Sequence, residues 1–371
     1  MPNIAPTARL YARPTGFIDA PFGFDGQFAR LAGGLQFFAA WEMIAAEGGK
    51  RTGQFLVPVD RAEAWVAALP DAQAARLHTF MARATTARAP LLMGDRTLML
   101  DQPQVMGILN ITPDSFSGGS DFLDDPAGSA QIARQMAADG AAIIDLGGES
   151  TRPGAETIWE QDELARVLPV VEQLAGSGIL LSLDTRKALV MKAGLAAGAH
   201  IINDVSALLY DDQALSVVLA SDCPVVLMHF PGTADDLHAN DRYGDPLLDV
   251  FDWLEARIDA VVAAGVARSR IIADPGIGFG KRSVADNLRI MNGLALYHGL
   301  GVPLLLGASR KRLIGALSNE APTDQRLGGS IALALKAAEQ GAQIIRVHDV
   351  FESVQALRVW RGHRDTALAG A

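Results

Sequence analysis

From about residue 104 onward, one pattern of residues repeats eight times along the chain. Each repeat begins with a short apolar run, often β-branched, and continues through a loop into a segment with helical spacing. Runs that are apolar on both faces are typical of parallel strands covered by helices. The pattern therefore predicts eight strands, at Val105–Ile111, Ala142–Gly147, Ile179–Asp184, His200–Val205, Pro224–His229, Arg270–Asp274, Pro303–Ala308 and Gln343–His348.

Eight strand–helix units predict an α/β fold, a closed (β/α)8 TIM barrel. A doubly wound open sheet is the alternative, but it normally has fewer units and a glycine fingerprint after its first strand. The stretch "NITPDSFSGG", which follows the first predicted strand, is not that fingerprint. Segments with helical spacing between the strands include Ser129–Asp139, Glu160–Leu174, Lys187–Ala197, Pro246–Ala264 and Gln325–Gln340.

Residues 1–95 do not share the repeat, so we expect an N-terminal accessory extension of unknown role there and the barrel domain at residues 96–365. The stretch "RAEAWVAALPDAQAARLHTFMARATTAR" predicts helix, interrupted near Pro70. The residues before it are predicted to be irregular with short elements. The extension contains many aromatic and aliphatic residues, which argues against disorder.

Composition excludes several classes of function. The formal charge of −10 argues against a nucleic-acid binder, which normally presents a basic face. No window of about 18 apolar residues lacks charge, so no membrane span is expected. The single Cys223 cannot form an intrachain disulfide and is typical of a reducing compartment. We therefore expect a cytoplasmic protein that binds neither nucleic acid nor membrane.

Polar residues collect where the predicted strands end. The active site of a TIM barrel lies at the carboxyl ends of its strands, so these residues are expected to meet at one rim. Each buried polar group costs about 1–3 kcal/mol if it stays unpaired, so a binding site that pairs all of them is a better explanation than packing alone. The set includes Asn110, Asp184, Thr185, Asn203, Asp204, His229, Asp274 and His348.

Two groups of residue types suggest a ligand. Asp184, Asp274, Asn203 and Lys311 suit a flat heterocycle with N–H donors on one edge and acceptors on another. For each Asp alone, a structural ion pair or a loop cap is an equally good interpretation.

The second group is Arg152, Arg346 and His348, which suits phosphate, a frequent ligand after strands seven and eight of this fold. A solvated loop residue is the alternative interpretation of Arg152. His229 has no second His at metal-ligand spacing, so a core position is the better interpretation of that residue.

Seven motifs resemble the dihydropteroate synthase family in order and spacing. They are "MGILNITPDSFSGG", "DLGGESTRPGAE", "LSLDT", "IINDVS", "DPGIGFGK", "GASRK" and "RVHDV", and the resemblance covers roughly residues 90 to 363. It implies a transferase of folate biosynthesis that joins 7,8-dihydropterin-6-ylmethyl diphosphate to p-aminobenzoate, with Mg2+, giving 7,8-dihydropteroate and diphosphate. It also implies a homodimer and a sulfonamide target.

The resemblance implies a role for individual residues in this sequence. Asp184, Lys311, Asp274 and Arg346 are the expected catalytic residues. The expected binding residues are Asp184, Asn203, Met228, Asp274 and Lys311 for the pterin; Thr151, Arg152, Arg346 and His348 for the diphosphate; Phe116, Pro153, Phe279 and Ser309 for p-aminobenzoate; and Asn110 for Mg2+.

Two rival functions and one departure from the family pattern bear on these expectations. A pterin-dependent methyltransferase would share the pterin-holding Asp and Asn residues but would lack "STRPG" and "SRK", which are present. A non-catalytic pterin-binding paralogue would be expected to lose Asn110, Arg152 or Lys311, and all three are retained. After strand five, "MHFPGTADDLHANDRYGDP" departs from the usual Met-His-Met-x-Gly-x-Pro form, so the conformation of that loop is not predicted.

Overall fold

Eight parallel strands form a barrel in the computed structural model, which describes residues 4–22, 25–112, 125–152, 154–233, 235–238, 243–281 and 283–369. Strand β7 (Gln104–Asn110) pairs with both β8 (Ile143–Gly147) and β14 (Ile344–Val347), and a parallel bridge between Ala273 and Leu304 joins the sixth and seventh strands of the barrel. The sheet is therefore closed, which confirms the predicted TIM barrel. Its strands are β7 (Gln104–Asn110), β8 (Ile143–Gly147), β9 (Leu180–Asp184), β10 (Ile201–Asp204), β11 (Val225–Met228), β12 (Ile271–Asp274), β13 (Leu305–Leu306) and β14 (Ile344–Val347).

Helices follow the barrel strands and cover their outer face. The five segments predicted from helical spacing all contain a helix, and four further helices were not among them. No helix in the described part of the chain is both long and apolar enough to cross a bilayer. The helices are α3 (Pro126–Ala138), α4 (Glu160–Leu174), α5 (Ala188–Ala197), α6 (Ala214–Leu219), α7 (Pro246–Ala263), α8 (Val284–Asn292), α9 (Arg312–Leu317), α10 (Leu327–Glu339) and α11 (Val350–Leu368).

The floor of the barrel is apolar and is closed from below by a hairpin. Each barrel strand contributes one buried side chain to a shared cluster at this end, and the hairpin strands β5 (Leu91–Met93) and β6 (Arg96–Leu98) pack against it. The predicted domain boundary, between residues 95 and 96, falls in the turn of this hairpin. The floor side chains are Met106, Ile143, Leu180, Ile201, Val226, Ile272, Leu305 and Ile344.

The prediction that the start of the chain is irregular was wrong. An antiparallel sheet stands there, built from β1 (Arg9–Ile18), β2 (Ala29–Arg30), β3 (Phe37–Glu47) and β4 (Lys50–Pro58), with β3 between β1 and β4. The sequence of β3, "FFAAWEMIAAE", contains Ala, Met and Glu, which favour helix, and does not alternate because several adjacent side chains are buried.

Local sequence explains how the extension turns and continues. Gly48 and Gly49 both have positive φ, 56° and 74°, as a two-residue hairpin turn between β3 and β4 requires. Helices α1 (Val59–Val66) and α2 (Asp71–Thr85) follow, and the predicted interruption near Pro70 is confirmed.

The N-terminal unit packs on the outside of the barrel rather than over the strand ends. Tyr11 of β1 and Phe80 of α2 meet Phe251 of α7, at ring-centre distances of 5.7 and 5.2 Å. The Tyr11 hydroxyl also donates to Asp252 at 2.8 Å. One apolar core therefore runs from the extension into the helical layer of the barrel.

Candidate active site

Strand alternation carries polar side chains into the barrel above its apolar floor. Successive side chains of a strand point to opposite faces, so residues two and four positions after a floor residue also point inward. Asp145 follows Ile143 by two positions and Asp184 follows Leu180 by four. The same spacing places Asn203 and Arg346 inward on β10 and β14.

These four side chains form one hydrogen-bonded group, which we call the carboxylate cluster: Asp145, Asp184, Asn203 and Arg346. Arg346 Nε donates to Asp145 Oδ2 at 2.6 Å, and Arg346 Nη2 donates to Asp184 Oδ2 at 2.7 Å. Asn203 Nδ2 donates to the same Asp145 oxygen at 2.9 Å. A single guanidinium therefore serves two carboxylates.

The carboxylate cluster is short of hydrogen-bond donors. Asp145 is fully buried and Asp184 is 9% exposed. Asp145 Oδ1 and Asp184 Oδ1 have no hydrogen-bond partner among the described residues. Burial raises the pKa of Asp184 above its usual 3.8, the Arg346 charge opposes that rise, and the Asp145 charge adds to it. Two buried acceptors without donors cost about 1–3 kcal/mol each, so a ligand that brings N–H groups would be favoured.

Asp274 and Lys311 lie at the same rim, on the strand-six and strand-seven sides. Asp274 Oδ1 accepts from the Gly276 N–H at 2.7 Å, and burial raises the pKa of Asp274. The Lys311 ammonium donates to the Ile277 carbonyl. Burial lowers the pKa of Lys311 to about 8, with Asp274 acting in the opposite direction. Met228 is buried at the end of β11, in register with Asp274.

His348 and Ser309 contact each other beside Arg346. Ser309 Oγ lies 3.0 Å from His348 Nδ1 and accepts from the His348 backbone N–H at 3.2 Å. Burial, together with the charges of Arg346, Arg310 and Arg152, lowers the pKa of His348 to about 3, and the Asp349 charge opposes this. His348 is therefore neutral at pH 7. Arg152 is exposed. Arg346, which was predicted in the phosphate group, contacts Asp184 and Asn203's partner Asp145 in the carboxylate cluster, so the predicted phosphate and heterocycle groups meet at Arg346.

Phe279 lies between a cation and an imidazole. The Lys311 ammonium is 4.6 Å from the centre of its ring, and His238 stacks on it at 5.0 Å with 10° between the ring planes. His238 Nε2 is 2.7 Å from the Thr151 carbonyl, which can only accept, so this nitrogen carries the proton. His238 thus joins the loops after strands two and six, and sequence reasoning missed it because it lies in the loop that departs from the family pattern.

A buried ion network supports the loop that carries Thr151. Glu149 pairs with Arg186 at 3.1 Å and with Lys187 at 3.0 Å. Lys187 also pairs with Glu163, at 2.6 Å. The network joins Glu149, the first residue of "ESTRPG", to the end of strand three and to helix α4. It therefore fixes the backbone two residues before Thr151. Phe116 and Pro153, two predicted p-aminobenzoate contacts, lie outside the described residues.

Asn110, the predicted magnesium ligand, ends strand β7. Its side-chain oxygen is 3.3 Å from the position that a Cβ on Gly147 would occupy. The described part of the chain contains no group of three or more His, Cys, Asp or Glu side chains that could hold a metal. Proteins usually bind Mg2+ through one or two oxygen ligands, with water and substrate phosphates completing the shell. One amide oxygen at the rim fits such a substrate-shared site.

Asp145 was not predicted from the sequence, although it is central to the cluster. Site residues were predicted from polar side chains at strand ends, whereas Asp145 lies in the middle of the apolar run "AAIIDLGG". A carboxylate within a run that is otherwise buried on both faces was the available signal, because such a group needs a partner.

Comparison with known proteins gives a consistent result. A family model described as pterin binding enzyme matches residues 106–348. A dihydropteroate synthase from Neisseria meningitidis serogroup B is 44% identical over 267 residues, which cover 70% of this chain and 93% of that protein.

Solved structures agree with this match. The Yersinia pestis dihydropteroate synthase in a sulfonamide drug complex is 44% identical, with a TM-score of 0.70 over 75% of this chain and 100% of that one. The Burkholderia cenocepacia enzyme complexed with 7,8-dihydropteroate is 41% identical, with a TM-score of 0.68 over 75% of this chain and 98% of that one. The chain therefore belongs to the dihydropteroate synthase family of pterin-binding enzymes, and dihydropteroate synthesis in the folate pathway is its activity.

Proposed function

We propose that the carboxylate cluster, with Asp274, Lys311 and Met228, binds the pterin ring of 7,8-dihydropterin-6-ylmethyl diphosphate. The observation that carries this proposal is the pair of buried oxygens, Asp145 Oδ1 and Asp184 Oδ1, that have no donor among the described residues. A pterin presents several N–H donors along one edge, and these would supply the missing hydrogen bonds. Lys311 would donate to the acceptor edge of the ring.

The p-aminobenzoate ring would lie against Phe279 and Ser309, with Phe116 and Pro153 as further contacts. The half-buried ring of Phe279 offers an apolar face next to the Lys311 ammonium, which supports this assignment. Sulfonamides would compete for the same place.

The diphosphate would lie on the side of Arg346 that faces His348, Thr151 and Arg152. The support is electrostatic: Arg346, Arg310 and Arg152 are all close enough to depress the pKa of His348. Neutral His348 can still donate one hydrogen bond to a phosphate oxygen.

In the reaction, the amine nitrogen of p-aminobenzoate forms a bond to the pterin methylene carbon. The carbon–oxygen bond to diphosphate breaks, and the amine releases one proton. If bond breaking leads, positive charge develops on the pterin, and Asp184 and Asp274 are placed to stabilise it. Arg346 would stabilise negative charge on the leaving diphosphate. Because an arylamine is a weak nucleophile, holding it against the methylene carbon should supply much of the rate.

Asn110 would share Mg2+ with the diphosphate. When bound, the ion would neutralise charge on the leaving group. Asn110 itself would orient the phosphate oxygens at the end of β7.

The two rival functions are less well supported. Asn110, Arg152 and Lys311, which a non-catalytic paralogue would be expected to lose, are all present. The motifs "STRPG" and "SRK", which a pterin-dependent methyltransferase would lack, contribute Thr151, Arg152, Ser309 and Lys311 to the rim.

We further propose a division into an extension at residues 1–95 and a catalytic domain at residues 96–365, in a cytoplasmic homodimer. Exposed Phe351 and Val359 on one helix, α11, support a dimer contact, because large exposed apolar side chains often mark interfaces. Light scattering is expected to give twice the monomer mass at micromolar concentration. A monomeric mass would contradict the dimer.

An assay with both substrates and Mg2+ tests the residue assignments. The parent chain is expected to form dihydropteroate, and Lys311→Met is expected to lose most of that activity. Lys336→Met, which removes an exposed lysine on α10, serves as the matched control and should retain full activity. Equal activity of the two variants would contradict the assignment of Lys311.

A further inference from the structure

Lys281, the last residue of "DPGIGFGK", lies beneath the strand-six loop (residues 275–281) and is only 2% exposed. Its ammonium donates to the carbonyls of Gly276 at 2.8 Å and Phe279 at 3.2 Å, and it lies 3.0 Å from His229 Nδ1. An ammonium has three N–H donors and no acceptor, so His229 Nδ1 must accept. All three donors are therefore used to hold this loop and the end of strand five.

Asn287 of α8 holds the same loop from the other side. Its side-chain oxygen accepts from the Gly278 N–H at 2.7 Å, and its Nδ2 donates to the Lys281 carbonyl at 2.6 Å. Gly276 has a φ of +67°, and a Cβ there would lie 2.1 Å from the His229 carbonyl oxygen. The loop is thus pressed against strand five and anchored at four of its residues, Gly276, Gly278, Phe279 and Lys281.

The anchored loop and the strand residue before it present three groups to the active site. Asp274 precedes it, the Ile277 carbonyl receives the Lys311 ammonium, and the Phe279 ring faces that same ammonium. Ile277 lies between Gly276, which Lys281 holds, and Gly278, which Asn287 holds. Movement of the loop would therefore shift the pterin and p-aminobenzoate sides together.

Lys281 also affects the charge of Asp274. Burial raises the pKa of Asp274, while Lys311, the Gly276 N–H, Lys281 and Arg346 all lower it. Burial and the Lys311 charge lower the pKa of Lys281 itself to about 7, and the Asp274 charge opposes this. Burial and Lys281 together lower the pKa of His229 well below 6.5, which agrees with a neutral, accepting imidazole.

We propose that Lys281 is a positioning residue of the transfer reaction, which holds the strand-six loop in its substrate-binding conformation and supplies a positive charge that favours the ionised form of Asp274. It acts through Asp274, Ile277 and Phe279 without contacting substrate. The inference rests on the proposed roles of Asp274, Lys311 and Phe279.

The test compares Lys281→Met with Asn287→Leu. Both remove loop anchors, so each is expected to raise the KM for both substrates roughly tenfold. Only Lys281→Met also removes a charge. It should therefore move the acid limb of kcat/KM for the pterin substrate to higher pH, because Asp274 loses a cation that lowers its pKa. Asn287→Leu should leave the limb in place.

Circular dichroism and thermal melts establish that each variant is folded. Where Lys281→Met is unfolded, Lys281→Arg replaces it: retained charge should leave the acid limb at the pH of the parent while KM still rises.

Three results would overturn the inference: a Lys281→Met variant with KM values within twofold of the parent, an unmoved acid limb in that variant, or an equal limb shift in Asn287→Leu. An inactive parent would instead refute the proposed function, so the two failures are distinguishable.

Discussion

Arginines meet carboxylates in two regions of the molecule, with opposite balances of charge. Where the extension meets helix α7, Arg9 and Arg76 both reach Glu255, at 2.6 and 3.2 Å. In the barrel mouth, one arginine, Arg346, serves both Asp145 and Asp184. The first region has more donors than acceptors at its centre, and the second has more acceptors than donors.

The two regions also differ in how deeply their charged side chains are buried. The Arg9 side chain is 44% exposed, and the one buried oxygen among the described residues of this contact that accepts no hydrogen bond, Asp252 Oδ1, lies 3.0 Å from the Arg9 Nε atom, so a cation compensates it. In the mouth, Asp145 and Asp184 are buried, and their free oxygens cannot rely on bulk water. A buried excess of acceptors lowers stability, so its presence at the rim indicates a ligand that donates hydrogen bonds. The contact with the extension indicates only docking.

Among variants of the two regions, Asp184→Asn should have the largest effect, a loss of pterin affinity. The amide removes the charge that pairs with Arg346 and turns one acceptor into a donor. Pterin affinity measured by calorimetry is expected to fall roughly 100-fold or more. The matched variant Asp252→Asn, at the extension contact, should bind pterin like the parent. Unchanged affinity in Asp184→Asn would refute the role of that residue.

Arg346→Ala should have the next largest effect. It removes the only guanidinium of the carboxylate cluster and a proposed diphosphate contact, so the KM for the diphosphate substrate should rise roughly 10- to 100-fold. Arg9→Ala is the matched arginine at the extension contact and should leave that KM unchanged. If only the kinetics of p-aminobenzoate moved, the diphosphate assignment would be wrong.

The pH dependence of activity should reflect the buried rim and not the exposed contact. The raised pKa values of Asp184 and Asp274 mean that both carboxylates protonate, and pterin binding weakens, as pH falls toward those values. The lowered pKa of Lys311, about 8, means that its cation is lost as pH rises through that value. We expect a bell-shaped profile of kcat/KM with a basic limb near pH 8. Lys311→Arg should remove that limb from the accessible range, and a limb that persists in this variant would exclude Lys311 as its source.

Arg9→Ala should show the smallest effect, and an effect on stability alone. Because the pair with Glu255 is partly exposed, the free energy of unfolding should fall by about 0–1 kcal/mol. Urea denaturation followed by circular dichroism measures this change. A decrease in the free energy of unfolding well above that range would mean that the Arg9–Glu255 ion pair contributes as much as a buried ion pair.

The sequence predicted the barrel well because its signals are local and repeated. Every barrel strand is an apolar run bounded by loop residues, and residues such as Asp184 and Asp274 stand where those runs end. The extension has no such repeat: β3 is rich in Ala, Met and Glu, and its strand state comes from pairing with β1 and β4, which a local pattern does not contain.

The sequence predicted which types of residue form the site, but not which of those residues contact each other. Asp145, His238 and Lys281 depend on contacts between residues far apart in sequence: Asp145 meets Arg346, His238 meets Phe279, and Lys281 meets His229. Asp145 and Lys281 belong to the motifs "DLGGESTRPGAE" and "DPGIGFGK", but none of the three is the residue that ends a barrel strand, which is where site residues were predicted. The barrel brings Asp145 and Arg346 together across its interior, and the direct pairing of β11 with β12 brings together the segments that contain the other two pairs.

A crystal structure with a bound dihydropterin tests the central claim most directly, that the unpaired oxygens of the carboxylate cluster are the pterin site. We predict pterin N–H groups within hydrogen-bond distance of Asp184 Oδ1 and Asp145 Oδ1, with the Arg346 contacts retained. A pterin bound elsewhere, or a bound pterin that leaves both oxygens without donors, would contradict the account.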